Sequence, residues 1–319
     1  MTMPDYLPII SVVIPCYNEE EAIPVFLAEI TEVLTNMKTG YELIFIDDGS
    51  SDDTLSILRQ LSKNNTHVRY ISFSRNFGKE AAMLAGLETA SGALAALIDV
   101  DLQDPLNLLP EMYEAIIIED YDCVAARRVT RKGEPPVRSF FARGFYRIIN
   151  KISHIEIVDG ARDFRLMQRN VVDAIIKLGE KNRFSKGIFS WVGFRTKYMQ
   201  YENIERRHGK TKWSFWNLLI YSIDGIVSFS TAPLIWVSLF GIAFCAFSFL
   251  MIIFFVLQKL IYGIDIQGYA AMITIILFLG GVQLLGIGVL GQYIAKMFIE
   301  VKNRPIYIIR ESSYGADDE

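Results

Sequence analysis

Along the first 130 residues, short unbroken apolar runs alternate with stretches in which apolar residues return every three or four positions. Ile9 to Pro15 (IISVVIP) has the length and β-branched content of a buried strand. Glu20 to Met37 then sets Ile23, Phe26, Leu27, Ile30, Val33, Leu34 and Met37 on one helical face. Glu42 to Asp47 predicts a second strand, and Ser51 or Asp52 offers a cap for a helix running to Leu61. Val68 to Phe73 is a third strand, Gly78 to Ala90 a helix, Ala93 to Asp99 a fourth strand and Asp122 to Ala126 a fifth. Such alternation predicts an α/β domain with a mostly parallel sheet and helices on both faces.

The pattern breaks twice near the C-terminus. Pro233 to Leu257 and Gly268 to Ala295 contain no charged residue. Each exceeds the roughly 20 residues that cross a ~30 Å hydrocarbon core. The connector, Gln258 to Gln267, is short, so the two spans predict a hairpin with both flanks on one side. Arg206, Arg207, Lys210 and Lys212 precede it and Lys296, Lys302, Arg304 and Arg310 follow, against Lys259 in the connector. The basic flanks place the N-terminal domain on the cytoplasmic side of an inner membrane. The expected division is a catalytic domain over 1–200, an amphipathic juxtamembrane segment over 201–232, two spans over 233–295 and a cytoplasmic tail over 296–319. Gly286 to Gly291 matches a dinucleotide fingerprint in letters only, since it lies within a span with no strand before it. Its glycines instead suit close helix contact.

Composition narrows the function. The 319 residues are 51% hydrophobic and 21% charged, with 32 basic and 36 acidic side chains for a net charge of −4. That balance excludes a disordered chain and a general nucleic-acid binder. Three scattered cysteines form neither a disulfide framework nor a CxxC zinc site. P-loop and serine-elbow motifs are absent.

In a parallel sheet, ligands bind beyond the carboxyl ends of the strands. Three polar clusters stand there: Pro15 to Glu19, Asp47 to Asp52 and Asp99 to Asp104. Any one alone reads equally well as a capped turn; together they converge on one rim. In the third, Asp99 and Asp101 are two apart on extended backbone, so both carboxylates point the same way, with the amide of Gln103 next in line. Two carboxylates and an amide oxygen suit Mg²⁺ or Mn²⁺ held together with substrate phosphates.

These motifs, with Ser74 to Lys79 (SRNFGK) and Asp163 to Met167 (DFRLM), resemble glycosyltransferase family 2 enzymes of GT-A fold. More narrowly they resemble polyprenyl-phosphate glycosyltransferases, such as dolichol-phosphate mannose synthases and bactoprenol glucosyltransferases. The resemblance implies a nucleotide-sugar donor bound by Pro15, Tyr17, Asn18, Glu19, Asp48, Lys79 and Asp99, and a metal at Asp99, Asp101 and Gln103. It implies Arg127 and Arg131 beside the lipid phosphate or leaving diphosphate, and Arg207 to Lys212 closing over the site. Arg162 stands where a smaller residue is usual, which leaves Asp159 and Asp163 both open as the acid nearest the acceptor. The implied reaction is transfer of a hexose to a polyprenyl phosphate. Glucose from UDP-glucose is the first donor; GDP-mannose, UDP-N-acetylglucosamine and UDP-4-amino-arabinose derivatives are alternatives. The bacterial relatives also imply a homo-oligomer, with a tetramer suggested.

A lipid phosphate needs cations at the membrane face. Arg127, Arg128, Arg131, Arg138, Arg143 and Arg147 form a dense basic stretch in which aromatics interleave. At helical spacing Phe141, Phe145, Ile148 and Ile152 share a face and Arg143 and Arg147 another, the pattern of an interfacial helix. Arg207, Lys210 and Lys212 add charge before the first span. The acceptor phosphate is already ionised near neutral pH, so positioning and electrostatics carry the chemistry rather than proton abstraction. A processive polysaccharide synthase is less well supported, because two spans make a poor pore. A non-catalytic membrane scaffold is disfavoured by the intact Asp99, Asp101 and Gln103.

Overall fold

The computed structural model describes residues 9–129, 144, 147, 149–153, 156–202, 225–262 and 268–314. Within them the chain runs β1 (Ile10–Cys16), α1 (Ala22–Met37), β2 (Tyr41–Asp47), α2 (Thr54–Asn64), β3 (Val68–Phe73), α3 (Lys79–Thr89), β4 (Leu94–Leu97), α4 (Leu108–Ile117) and β5 (Cys123–Arg128). After these come β6 (Ala161–Gln168), α5 (Arg169–Lys177), α6 (Ser185–Trp191), β7 (Thr196–Tyr201), α7 (Ala232–Tyr262), α8 (Tyr269–Lys302) and β8 (Ile309–Ser312). The strands form one sheet in the order β7-β5-β6-β4-β1-β2-β3-β8.

The ladders β1–β2, β1–β4, β2–β3 and β5–β7 are parallel, while β6 and β8 run antiparallel to their neighbours. Strand β1 shows why the sequence has no alternation here. Val12 and Ile14 pack on one face with Phe26 and Ile30 of α1, and Val13 between them packs on the other with Ala82 and Ala85 of α3. A strand covered by helices on both sides needs apolar residues at every position. Helix α3 lies close on β1 because its buried face is small. A Cβ on Gly86 would fall 2.1 Å from Val13 Cγ1.

Helices α7 and α8 hold 31 and 34 residues, about 46 and 51 Å at 1.5 Å per residue. Both are long and apolar enough to cross a membrane, with mean hydropathy of 2.7 and 1.9 over the spans and none of either apolar window buried. They meet each other through Phe244 and Phe278, ring centroids 6.0 Å apart. The segment expected as a tail is helical to Lys302 and then turns back to the sheet, where β8 pairs with β3.

Of the proposed interfacial helix near residue 147, only part is described. There Ile149 is fully buried against Ile157 and Phe184, while Arg147 and Lys151 are exposed. The expected face residues Phe141, Phe145 and Ile148 lie outside the described residues, as do Arg131, Arg138, Arg143, Arg207, Lys210 and Lys212.

Candidate functional site

The ends of β1 and β2 are tied together by their own polar residues. Asn18, at φ +55°, accepts the Ser51 N–H at 2.8 Å through Oδ1 and donates its backbone N–H to Ser50 Oγ at 2.9 Å. The Glu19 N–H reaches Thr54 Oγ1 at 2.9 Å. Tyr17 is exposed, with Pro15, Asn18 and Glu19 half-buried around it. Cys16 points inward. Burial, reinforced by nearby acids beginning with Glu19, raises its thiol well above the usual range, which fits a space-filling role.

Asp48 is spent on the loop after β3. Its Oδ1 accepts the Phe77 N–H at 2.6 Å and its Oδ2 the Gly78 N–H at 2.9 Å. Burial pushes its carboxyl up, and these two N–H groups pull the other way. Gly49, at φ +67°, lets this turn press on the same loop, since a Cβ there would lie 2.4 Å from the Arg75 carbonyl carbon.

That loop delivers Lys79, the first residue of α3, to the middle of the rim. Its Nζ lies 2.7 and 2.8 Å from the two carboxylate oxygens of Asp99 and 2.6 Å from Asp163 Oδ2. One ammonium thus joins an acid just beyond β4 to one in β6, 64 positions apart in sequence. The Lys79 side chain remains 41% exposed, so the group opens to solvent. Desolvation works against the lysine's charge, but Asp163 and Asp99 hold its pKa above the usual range. Desolvation likewise raises Asp99, and there it outweighs Lys79. At Asp163 the balance reverses. Burial is overridden by Lys79, Lys186 and Arg165, which hold the carboxyl below the usual range.

Beyond β4 the backbone is not extended as expected: it turns at Val100 and Asp101 and bends at Leu102. Exposure still alternates, with Asp99, Asp101 and Gln103 half-exposed and Val100, Leu102 and Asp104 buried. Leu102 takes φ +54°, a region bulky residues avoid, so the backbone is strained between the two polar side chains. Arg162 closes this loop. Its Nε is 3.1 Å from Asp104 Oδ1, and its Nη2 donates to Gln103 Oε1 at 3.4 Å. Tyr201, at the end of β7, donates its hydroxyl to the same Asp104. Two carboxylates and an amide oxygen on one half-exposed edge are a donor set that fits a hard divalent cation. Among the described residues no three acidic, histidine or cysteine side chains converge on one point, so such a site also needs phosphate or water oxygens.

Asp159 and Asp163 separate in space. The backbone carbonyl of Asp159 accepts Arg127 Nε at 3.0 Å in the turn that precedes β6, whereas Asp163 belongs to the Lys79 group. Arg128 is half-buried beside the same turn and donates its N–H to the Gly160 carbonyl at 2.9 Å.

Two contributors, Glu80 and Lys186, were not legible in the sequence, and Arg165, a candidate ion-pair partner of Asp163, joins them. Glu80, following Lys79, turns inward and accepts the Ser185 N–H at 3.1 Å and its hydroxyl, fixing the start of α6. Lys186 comes next on α6 and bears on Asp163. Arg165 lies under Asp163 with its guanidinium 3.4 Å from the centre of the Phe189 ring. Neither Glu80 nor Lys186 belongs to a motif, whereas Arg165 lies within the Asp163 to Met167 motif and Arg162 stood out as an unusual residue before Asp163.

Residues 11–176 match the family described as Glycosyl transferase family 2. The chain is 45% identical over 307 residues to the SfII prophage-derived bactoprenol glucosyl transferase of Shigella flexneri, covering 96% of this chain and 99% of that one. It is 43% identical over 302 residues to the prophage bactoprenol glucosyl transferase homolog of Escherichia coli K12, covering 94% and 98%. Among solved structures, the mannosyltransferase PcManGT from Pyrobaculum calidifontis, in complex with GDP-Man and Mn²⁺, aligns with a TM-score of 0.47 at 19% identity, over 70% of this chain and 63% of that one.

Proposed function

The chain belongs to glycosyl transferase family 2, and from that premise we propose that it transfers glucose from UDP-glucose to undecaprenyl phosphate at the cytoplasmic face of the inner membrane, with inversion at the sugar. The observation that carries the acceptor class is the extent of the similarity. It takes in the apolar hairpin as well as the sheet, 99% of a bactoprenol glucosyl transferase.

In this reading the donor lies across the ends of β1 and β2, against Pro15, Tyr17, Asn18 and Glu19, over the loop that Asp48 holds. Asp99, Asp101 and Gln103 would hold Mg²⁺ or Mn²⁺, which when bound neutralises charge on the donor diphosphate. Lys79 serves the same end from the other side. Its ammonium is positioned to shift from the carboxylates toward the diphosphate as charge develops there. Asp163, kept ionised by its basic neighbours, orients the sugar. A phosphate oxygen of the acceptor attacks the anomeric carbon as the bond to the donor phosphate breaks, and UDP departs with the electron pair. The acceptor phosphate is already an anion, so no side chain has to remove a proton. Arg127 and Arg128, with Arg131, Arg138, Arg143, Arg147, Arg207, Lys210 and Lys212, form the basic approach for the lipid phosphate and surrounding headgroups. Assembly as a homo-oligomer through the spans belongs to the same reading.

The test uses the full-length protein in vesicles with undecaprenyl phosphate, Mg²⁺ and labelled UDP-glucose, GDP-mannose or UDP-N-acetylglucosamine in turn. Label is expected in the lipid phase from UDP-glucose alone, and not after EDTA. Label from another donor overturns the sugar. No lipid label from any donor overturns the acceptor.

A further inference from the structure

We infer that residues 303–314, which follow the second apolar helix, form a clasp that sets the position of Lys79 and thereby the affinity of the site for the donor diphosphate. The inference rests on the proposed role of the rim as a nucleotide-sugar site.

Strand β8 covers what would otherwise be the open edge of β3, pairing Ile71 with Ser312 and Ser72 with Glu311. Sheet edges are commonly covered to prevent wrong pairing. This cover does something more specific, because its contacts run directly into the Lys79 loop. The Ser74 N–H, first in that loop, donates to the Ile308 carbonyl at 2.9 Å. The ring of Tyr307 stacks on Phe73, the last residue of β3, with centroids 4.9 Å apart and planes 15° from parallel. Phe73 in turn meets Phe77 edge-on at 5.8 Å. Phe77 and Gly78 give their N–H groups to Asp48, and Lys79 follows. From its other side Tyr307 donates its hydroxyl to Glu88, near the far end of the helix that Lys79 begins. One side chain therefore grips both the strand before Lys79 and the helix after it.

The end of α8 makes a second connection. Glu300 accepts the backbone N–H groups of Lys181 and Asn182, at 2.8 and 3.2 Å, shortly before Ser185 and Lys186. Two of the three cations that bear on Asp163, Lys79 and Lys186, thus sit on segments held by the end of α8 or by the chain just beyond it.

The test compares full-length Tyr307→Ala, Tyr307→Phe and Arg59→Ala. Arg59 pairs with Glu311 on the outer side of the clasp at 2.6 Å and does not touch the loop, so its loss reports on stability alone. Tyr307→Ala is expected to raise Kd for UDP, and KM for UDP-glucose, about tenfold, with KM for the lipid phosphate unchanged. Tyr307→Phe keeps the stack and should restore most of the affinity. Arg59→Ala should lower Tm without moving either KM. If Tyr307→Ala lowers Tm like Arg59→Ala but leaves UDP affinity within about twofold of the parent, the clasp is only a fold element and the inference fails. Should Tyr307→Ala not fold, Tyr307→Leu carries the same comparison. Binding of UDP is read without turnover, so failure of lipid transfer in the parent protein overturns the proposed reaction and leaves this test intact.

Discussion

Lys79 is the residue on which the rim depends, because it keeps two carboxylates within one ammonium's reach of each other. With Lys79 replaced by Met, Asp99 and Asp163 face each other with their shared counter-charge gone, and like charges so close favour protonation of one of them. Transfer should fall by roughly 10²-fold, the scale seen when a charge-stabilising donor is removed. The pH dependence has a definite sign. In the parent protein Asp163 is held below its ordinary value, so its ionisation supports the fold above the ordinary carboxylate range, and that support is lost only as pH falls through the lowered pKa. Asp99 is raised, so it works the other way, and its ionisation costs stability as pH rises through its raised value. Lys79→Met takes from both acids the cation that lowers them most, so both shift upward, Asp163 still beside Lys186 and Arg165. Urea unfolding at about pH 5 and pH 7.5 should therefore show the variant gaining stability on acidification relative to the parent. Parallel curves for the two proteins would contradict this account of the group. Lys79, Asp99 and Asp163 were each legible in sequence as residues, but their meeting was not. It depends on β6 inserting antiparallel beside β4, which brings positions 99 and 163 to one edge.

At the scale of elements, β1 to β4 were readable because burial on both faces keeps them largely apolar, with few polar interruptions such as Ser11, Glu42 and Arg69. Strand β6 (ARDFRLMQ) was not, since Arg162, Asp163 and Arg165 break the pattern, although Phe164, Leu166 and Met167 are fully buried. Strands β7 (TKYMQY) and β8 (IRES) are edge strands whose polarity hides them. The helix preceded by the Lys79 loop was found, but its low profile was missed. It is the small residues Ala81, Ala82, Ala85 and Gly86 that let α3 lie on β1 and bring Lys79 level with the strand ends. Gly86→Ala tests this. A methyl there meets the stiff, branched Val13 side chain, so over-packing should cost about 1–3 kcal/mol, read as a lower urea midpoint. A second change, Val13→Ala, should recover part of that loss by opening room. Destabilisation by Gly86→Ala that Val13→Ala leaves untouched would place its origin elsewhere in the helix.

At the scale of the whole molecule, the pairing of β8 with β3 constrains the proposed topology, which hydropathy alone leaves to charge counting. The sheet begins before the hairpin and is completed after it, so the chain must return to the side it left and the number of crossings must be even. Helices α7 and α8 supply two. In the proposed topology the flanking Arg and Lys residues would name the side, since basic flanks stay cytoplasmic. Two unlike features, an edge strand of four residues in the structure and a charge bias around the hairpin in the sequence, thus support the same proposed arrangement. Single cysteines introduced in a Cys245→Ser background read it directly, because Cys16 and Cys123 are buried. In sealed inverted vesicles a membrane-impermeant maleimide should label Lys63→Cys in the sheet domain and Arg304→Cys beyond α8. Gly268→Cys, at the start of α8, should react only after detergent. Labelling of Arg304→Cys and Lys63→Cys from opposite sides would be incompatible with β8 in this sheet and would dismantle the clasp along with the topology.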